Sequence, residues 1–133
     1  QNLGIKVSLA KQEQKIWLAS MRELSYQFTR SSWVGDYNDP NTFLEMFTSG
    51  SGNNRTGWKS AEYDQLIADA ASEPDVQKRN AIFHRAEKLL VVDEAVILPV
   101  YYYVGVQFFN KDKLGGVQTN LIDDHPFRCM YWK

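Results

Sequence analysis

Thr29-Arg30-Ser31-Ser32-Trp33-Val34-Gly35-Asp36-Tyr37-Asn38-Asp39-Pro40 reads as the end of a strand that runs into a polar turn and then a helix. Tyr26 to Trp33 is rich in aromatic and hydroxyl residues, which suit a pleated surface. Gly35 lets the backbone turn, or a ligand approach, without a Cβ in the way. Asp39-Pro40 offers a capping carboxylate and a proline at the first helical position. Between them, Asp36 stands at the carboxyl end of the expected strand, where ligands bind in open α/β sheets.

Working outward, Ile5-Lys6-Val7-Ser8-Leu9 alternates like a strand. Glu13 to Leu24 places Ile16, Trp17, Met21 and Leu24 at helical spacing. Strand, helix and strand over about thirty residues predict a right-handed βαβ unit and an α/β class. After Pro40, Phe43, Leu44, Met46 and Phe47 make a short apolar helix. Ser49 to Asn54 breaks all periodicity and is expected to be a flexible surface loop closed by Gly57-Trp58. Asn54-Arg55-Thr56 within it matches a glycosylation sequon.

Ser60 to Ala71 carries Tyr63, Leu66, Ile67 and Ala70 on one face of the next helix. In Ser72-Glu73-Pro74-Asp75, Ser72 is the expected N-cap and Asp75 the capping-box residue of a helix running to about Val91. Arg79, Arg85 and Lys88 are expected on its solvated face. Ala95 to Val104 is a continuous apolar run, read as a covered strand bent or edged at Pro99, and Val106 to Asn110 as one more short strand. The tail from Val117 has weak periodicity. So few strands, and a start without Met, predict part of a longer chain.

The 133 residues are 44% hydrophobic and 23% charged with net charge −1, a globular composition that argues against nucleic acid as main partner. Cys129 stands alone, so no internal disulfide forms and no cysteine-based metal site is expected. His84 and His125 are read as structural or surface residues, although Asp123-Asp124-His125 has metal-ligand types. Nucleophile motifs and phosphate loops are missing from the sequence, and no metal or other cofactor is expected. Asp36 and Asp39 leave a small carboxylate hydrolase as an alternative, and a bare interaction module as another. The cation, aromatic and anion at Arg30, Trp33 and Asp36 are the residue types that a site for an extended, amine-bearing ligand needs, and equally the types of two charges paired within the protein around a core tryptophan.

The central stretch resembles the motif of the oligopeptide- and dipeptide-binding proteins of bacterial ABC importers, solute-binding family 5. Its Trp-x-x-Asp-Tyr, Asx-Pro turn, Phe-Leu helix and Ser/Gly/Asn loop correspond to Trp33, Asp36-Tyr37, Asp39-Pro40, Phe43-Leu44 and Ser49 to Asn54. Glu62 to Ile67, then Arg79 with Ala86 to Leu90 and Asp93, then Val96 to Tyr103 with Gly115-Gly116, continue the likeness in order.

The resemblance implies the C-terminal segment of a type II periplasmic-binding fold. Residues 1–100 would belong to the second ligand-binding lobe, and 101–133 would cross the hinge and return to the first. It implies that Asp36 holds a peptide ammonium beside Trp33 and that Arg30 meets a ligand carboxylate. Ser32 and Gly35 would offer backbone groups, and Tyr37 completes the set. The implied partners are a peptide, the permease subunits and the N-terminal portion of the same protein. The implied location is periplasmic or extracellular, with membrane association in Gram-positive bacteria. Relatives that bind metal chelates or oligosaccharides keep a non-peptide solute open.

Overall fold

The computed structural model describes residues 4–120 and 123–133; Gln1 to Leu3, and Leu121 and Ile122 of the tail, lie outside the described residues. The chain runs through helices α1 (Gln14–Arg22), α2 (Asn41–Leu44, extended by a 3-10 turn at Glu45–Phe47), α3 (Ala61–Ser72) and α4 (Val76–Lys88). A π-helical turn at Leu89–Asp93 follows, then the two-residue strands β1 (Leu114–Gly115) and β2 (Tyr131–Trp132).

The core is the antiparallel helix pair α3 and α4. Tyr63, Leu66, Ile67 and Ala70 from α3 meet Phe83 and Ala86 from α4 and Leu90 beyond it, with Leu44, Phe47, Trp58 and Val96 packed around them. Tyr63, Leu66, Ile67 and Ala70 are the residues whose helical spacing predicted an apolar face. Burying each large side chain is worth roughly 1.5–3 kcal/mol. Tyr63 is fully buried, donates its hydroxyl to the Leu44 carbonyl at 2.8 Å and meets Trp58 edge-on at 5.1 Å. It therefore fastens α2 and the following loop to the core.

The cap of α4 differs from expectation by three residues. Asp75 is itself the N-cap, accepting from Gln77 N–H at 2.9 Å and Lys78 N–H at 3.0 Å. Ser72 ends α3 instead, donating its hydroxyl back to the Ala68 and Asp69 carbonyls. The N-cap of α3 is Ser60, which accepts from Tyr63 N–H. Helix α1 closes with Ser25 N–H on Ser20 carbonyl at 2.8 Å and Leu24 at φ 54°, a Schellman end with leucine where glycine is usual.

The strand expectations come out differently. Ile5 to Leu9, Tyr26 to Trp33, Ala95 to Val104 and Val106 to Asn110 carry no strand pairing, and most of their apolar side chains are exposed, Val7 by 74% and Val104 by 79%. A ladder needs a neighbouring strand to take its N–H and C=O groups, and among the described residues none lies beside these stretches. Here the sheet is the antiparallel pair β1–β2, with Leu114 opposite Trp132 and Gly115 opposite Tyr131. Gly116 at φ 82° is required there, since a Cβ would fall 1.8 Å from the Cys129 carbonyl oxygen.

Candidate binding cleft

The turn between Trp33 and α2 is built from short-range bonds on a buried threonine. Thr42 is 1% exposed, and its Oγ1 accepts from Asp36 N–H at 2.9 Å. Thr42 N–H donates to the Asp39 carbonyl at 3.2 Å, and Asp39 N–H to the Tyr37 carbonyl at 3.0 Å. Gly35 lies flat on α2, where a Cβ would come within 3.1 Å of both Phe43 Cζ and Thr42 Cγ2. Glycine lets the turn approach α2 closely here, with no unusual φ involved.

Asp39 does what a helix-start carboxylate is expected to do and more. Its Oδ1 accepts from Asn41 N–H at 2.9 Å, and both oxygens take the Arg79 guanidinium, at 2.6 and 2.9 Å. The Arg79 hydrogen bonds hold the Asp39 carboxyl below the usual carboxylate range. Arg79 also donates from Nε to the Ala70 carbonyl at 3.0 Å and lies 4.6 Å from the Phe83 ring centre. The sequence reading put Arg79 on the solvated face of α4; its side chain is only 28% exposed and reaches the turn forty residues earlier. Long-range pairing of this kind has no signature in local spacing.

Asp36 stands in contrast. Its carboxylate is exposed and, among the described residues, has no hydrogen-bond or ion-pair partner. It lines an open cleft of about 290 Å³ together with Trp33, Thr42, Glu45, Met46, Thr48, Gly50, Ser51 and Asn53. Tyr37 borders this cleft indirectly, donating its hydroxyl to Glu45 Oε1 at 2.9 Å while Asn41 Nδ2 bridges Tyr37 and Glu45. Burial raises the Tyr37 phenol above its ordinary value.

The opposite wall is the loop that was expected to be flexible, and it is tied at both ends. Ser49 N–H donates to Asp64 Oδ1 at 2.8 Å. Asn54 Nδ2 reaches the carbonyls of Phe47, Thr48 and Trp58, and its Oδ1 accepts from the N–H and hydroxyl of Thr56. An amide so engaged is spent on structure, which sets aside the sequon reading.

The remaining residues singled out in the sequence fall elsewhere. Arg30 donates from Nη2 to the Tyr101 hydroxyl at 2.9 Å and also bonds the Tyr103 hydroxyl. The two rings are 5.0 Å apart. Tyr103 and then the Arg30 cation hold the Tyr101 phenol below its ordinary value. The i, i+2 spacing of the two tyrosines on one side of an extended run was the available signal for this cluster. Ser32 is exposed, with no side-chain bond among the described residues. Trp17 Nε1 donates to Thr29 Oγ1 at 3.0 Å, holding the stretch against α1. Among the described residues, no three His, Cys, Asp or Glu side chains converge; His125 pairs only with Asp123, at 2.8 Å.

No family model matches the chain. It is 44% identical over 117 residues to the dipeptide-binding protein DppE of Bacillus subtilis (strain 168), covering 88% of this chain and 21% of that protein. It is 38% identical over 132 residues to the periplasmic murein peptide-binding protein MppA of Escherichia coli (strain K12), covering 98% of this chain and 24% of that protein. The solved structure of the Escherichia coli murein tripeptide binding protein MppA superposes on 99% of this chain with a TM-score of 0.85 at 36% identity, using 26% of its own length. The chain belongs with the oligopeptide- and dipeptide-binding solute-binding proteins. Its fold is that of a segment of their type II periplasmic-binding architecture. It spans roughly a quarter of the length of these family members.

Proposed function

We propose that the chain forms part of the peptide-binding component of an ABC importer, in which Asp36 receives the α-ammonium of a peptide. The observation that carries this is the contrast within one turn. Asp39 is neutralised by Arg79, whereas Asp36, among the described residues, stands unpaired at the rim of a cleft walled by Trp33. A free carboxylate beside an indole face suits a cation that must shed water on binding. Arg30, on its tyrosine pair, offers a second pole for the ligand carboxylate, and Ser32 and Gly35 main-chain groups for the ligand backbone.

In this reading residues 1–100 complete the second lobe and 101–133 cross the hinge and return to the first. The unpaired stretches, Ile5 to Leu9 and Ala95 to Val104, would find their ladder partners in the rest of a two-lobed protein. Lobe closure would then bury Asp36 with its ligand. Such a protein works outside the cytoplasm, in the periplasm or held at the membrane of a Gram-positive cell, and hands its peptide to a permease. It binds without turning over its ligand. A hydrolase using Asp36 and Asp39 is disfavoured because Asp39 is held ionised and has no oxygen free of Arg79.

The test is calorimetry of trialanine binding to the full-length protein at neutral pH. Asp36→Asn is expected to cost about 3 kcal/mol, the lower end for removing one member of a buried ion pair. N-acetyltrialanine is expected to bind the parent protein as weakly as trialanine binds the variant. A change under twofold on Asp36→Asn would remove the assignment.

A further inference from the structure

We infer that Arg79 is a positioning residue for the Asp36 carboxylate, acting from helix α4 through Asp39 and Thr42. The inference rests on the reading of Asp36 as the ammonium acceptor and adds the residue that fixes where that acceptor sits. Helix α2 is fastened to the core by Tyr63, and Arg79 adds a second tie through the Asp39 side chain. Asp36 to Asn38 are exposed, so packing alone does not hold them.

The path is continuous. Asp36 N–H ends on Thr42 Oγ1 at 2.9 Å, and Thr42 N–H ends on the Asp39 carbonyl at 3.2 Å. The Asp39 carboxylate ends on Arg79 through both oxygens. Arg79 in turn is fixed by the Ala70 carbonyl at 3.0 Å and the Phe83 face at 4.6 Å, two points on the α3–α4 core. Three guanidinium nitrogens thus bind three acceptors at once. A lysine ammonium has neither the plane nor the reach to do so. At Gly35 a Cβ would come within 3.1 Å of Thr42 Cγ2 and Phe43 Cζ, so a side chain there would crowd the turn. The Asp36 backbone is therefore tied through Thr42 and Asp39 to the Arg79 fork.

The experiment is a double-mutant cycle in the full-length protein, read by calorimetry with trialanine and by thermal melting without peptide. Arg79→Met is expected to weaken trialanine binding about tenfold, mid-range for residues coupled in one hydrogen-bond network. Arg79→Lys should fall between it and the parent. In the Asp36→Asn background, Arg79→Met should add no further loss, because the group it positions is already gone. The uncharged pair Asp39→Asn with Arg79→Gln, which can keep a hydrogen bond, should recover part of the affinity; should Arg79→Met fail to fold, this pair and Arg79→Lys are compared instead. An equal loss from the Arg79 variants with and without Asp36 would overturn the inference and make Arg79 a general stabiliser. Unchanged binding in the Arg79 variants would overturn it as well. If Asp36→Asn itself leaves trialanine binding unchanged, the ammonium reading falls first and takes this inference with it.

Discussion

Two carboxylates three residues apart have opposite fates, and the difference is a single cation. Asp39 is 26% exposed and doubly bonded to Arg79; Asp36 is exposed and without a partner among the described residues. Because Arg79 lowers the folded pKa of Asp39 below its unfolded value, the pair contributes stability above the ordinary Asp range. That contribution is lost as pH falls through the folded value. Asp39→Ala is therefore expected to cost about 1–2 kcal/mol at pH 7, a lost helix-start acceptor plus a partly exposed ion pair. Urea titrations from pH 7 down to pH 2 should show the gap to the parent closing only in strong acid; a gap constant with pH would mean that neither interaction of the ionised carboxylate supplies it. Tyr63 poses the buried counterpart. Burial pushes its phenol well above the ordinary value, so it stays neutral and serves only as a donor to Leu44. Tyr63→Phe should leave that carbonyl without its donor and lower stability by about 1 kcal/mol in the same titrations.

At the scale of elements, periodicity made the helices legible and side-chain reach decided what it left open. The apolar spacing of Tyr63, Leu66, Ile67 and Ala70 is a local property, and α3 appears where it predicts. Ser72 and Asp75 are both competent caps three residues apart, and composition alone does not choose between them. The choice falls to Asp75, which reaches two free N–H groups of α4, while Ser72 completes the last turn of α3. The Ser49 to Asn54 loop was illegible for a different reason. Phe47, Thr48 and Trp58 carbonyls become a single binding point for Asn54 only once the loop has closed. Asn54→Asp removes the donor and sets a carboxylate against those carbonyls. The expected loss is about 2 kcal/mol or more. Hydrogen exchange should then quicken at Thr56 and Trp58, whose N–H groups bond within this loop, while the α4 amides stay protected. Uniform loss of protection would instead make Asn54 part of the global core.

At the scale of the whole molecule, stability and exposure are distributed unevenly along the chain. The cluster built on Tyr63, Phe83 and Leu90 sits within residues 42–97, whereas Ile5, Val7, Leu9, Val100, Val104 and Phe108 are exposed. Their alternation and apolar runs led the sequence reading to expect strands, and the structure shows no pairing at them among the described residues. The sequence reading had no means to supply the neighbour, because strand pairing is a relation between distant segments. Local opening free energy follows buried contacts and bonded amides. In the isolated 133-residue chain, amides of α3 and α4 should therefore exchange slowly, and those of 5–9 and 100–109 at nearly unfolded-chain rates. Unpaired apolar edges also invite intermolecular pairing, so the exchange must be followed across a dilution series. In the full-length protein the same two segments should become protected, while α3 and α4 change little. Slow exchange of 5–9 and 100–109 in the isolated chain, independent of dilution, would show that this chain supplies its own strand partners. It would also remove the need for a second lobe to complete the sheet.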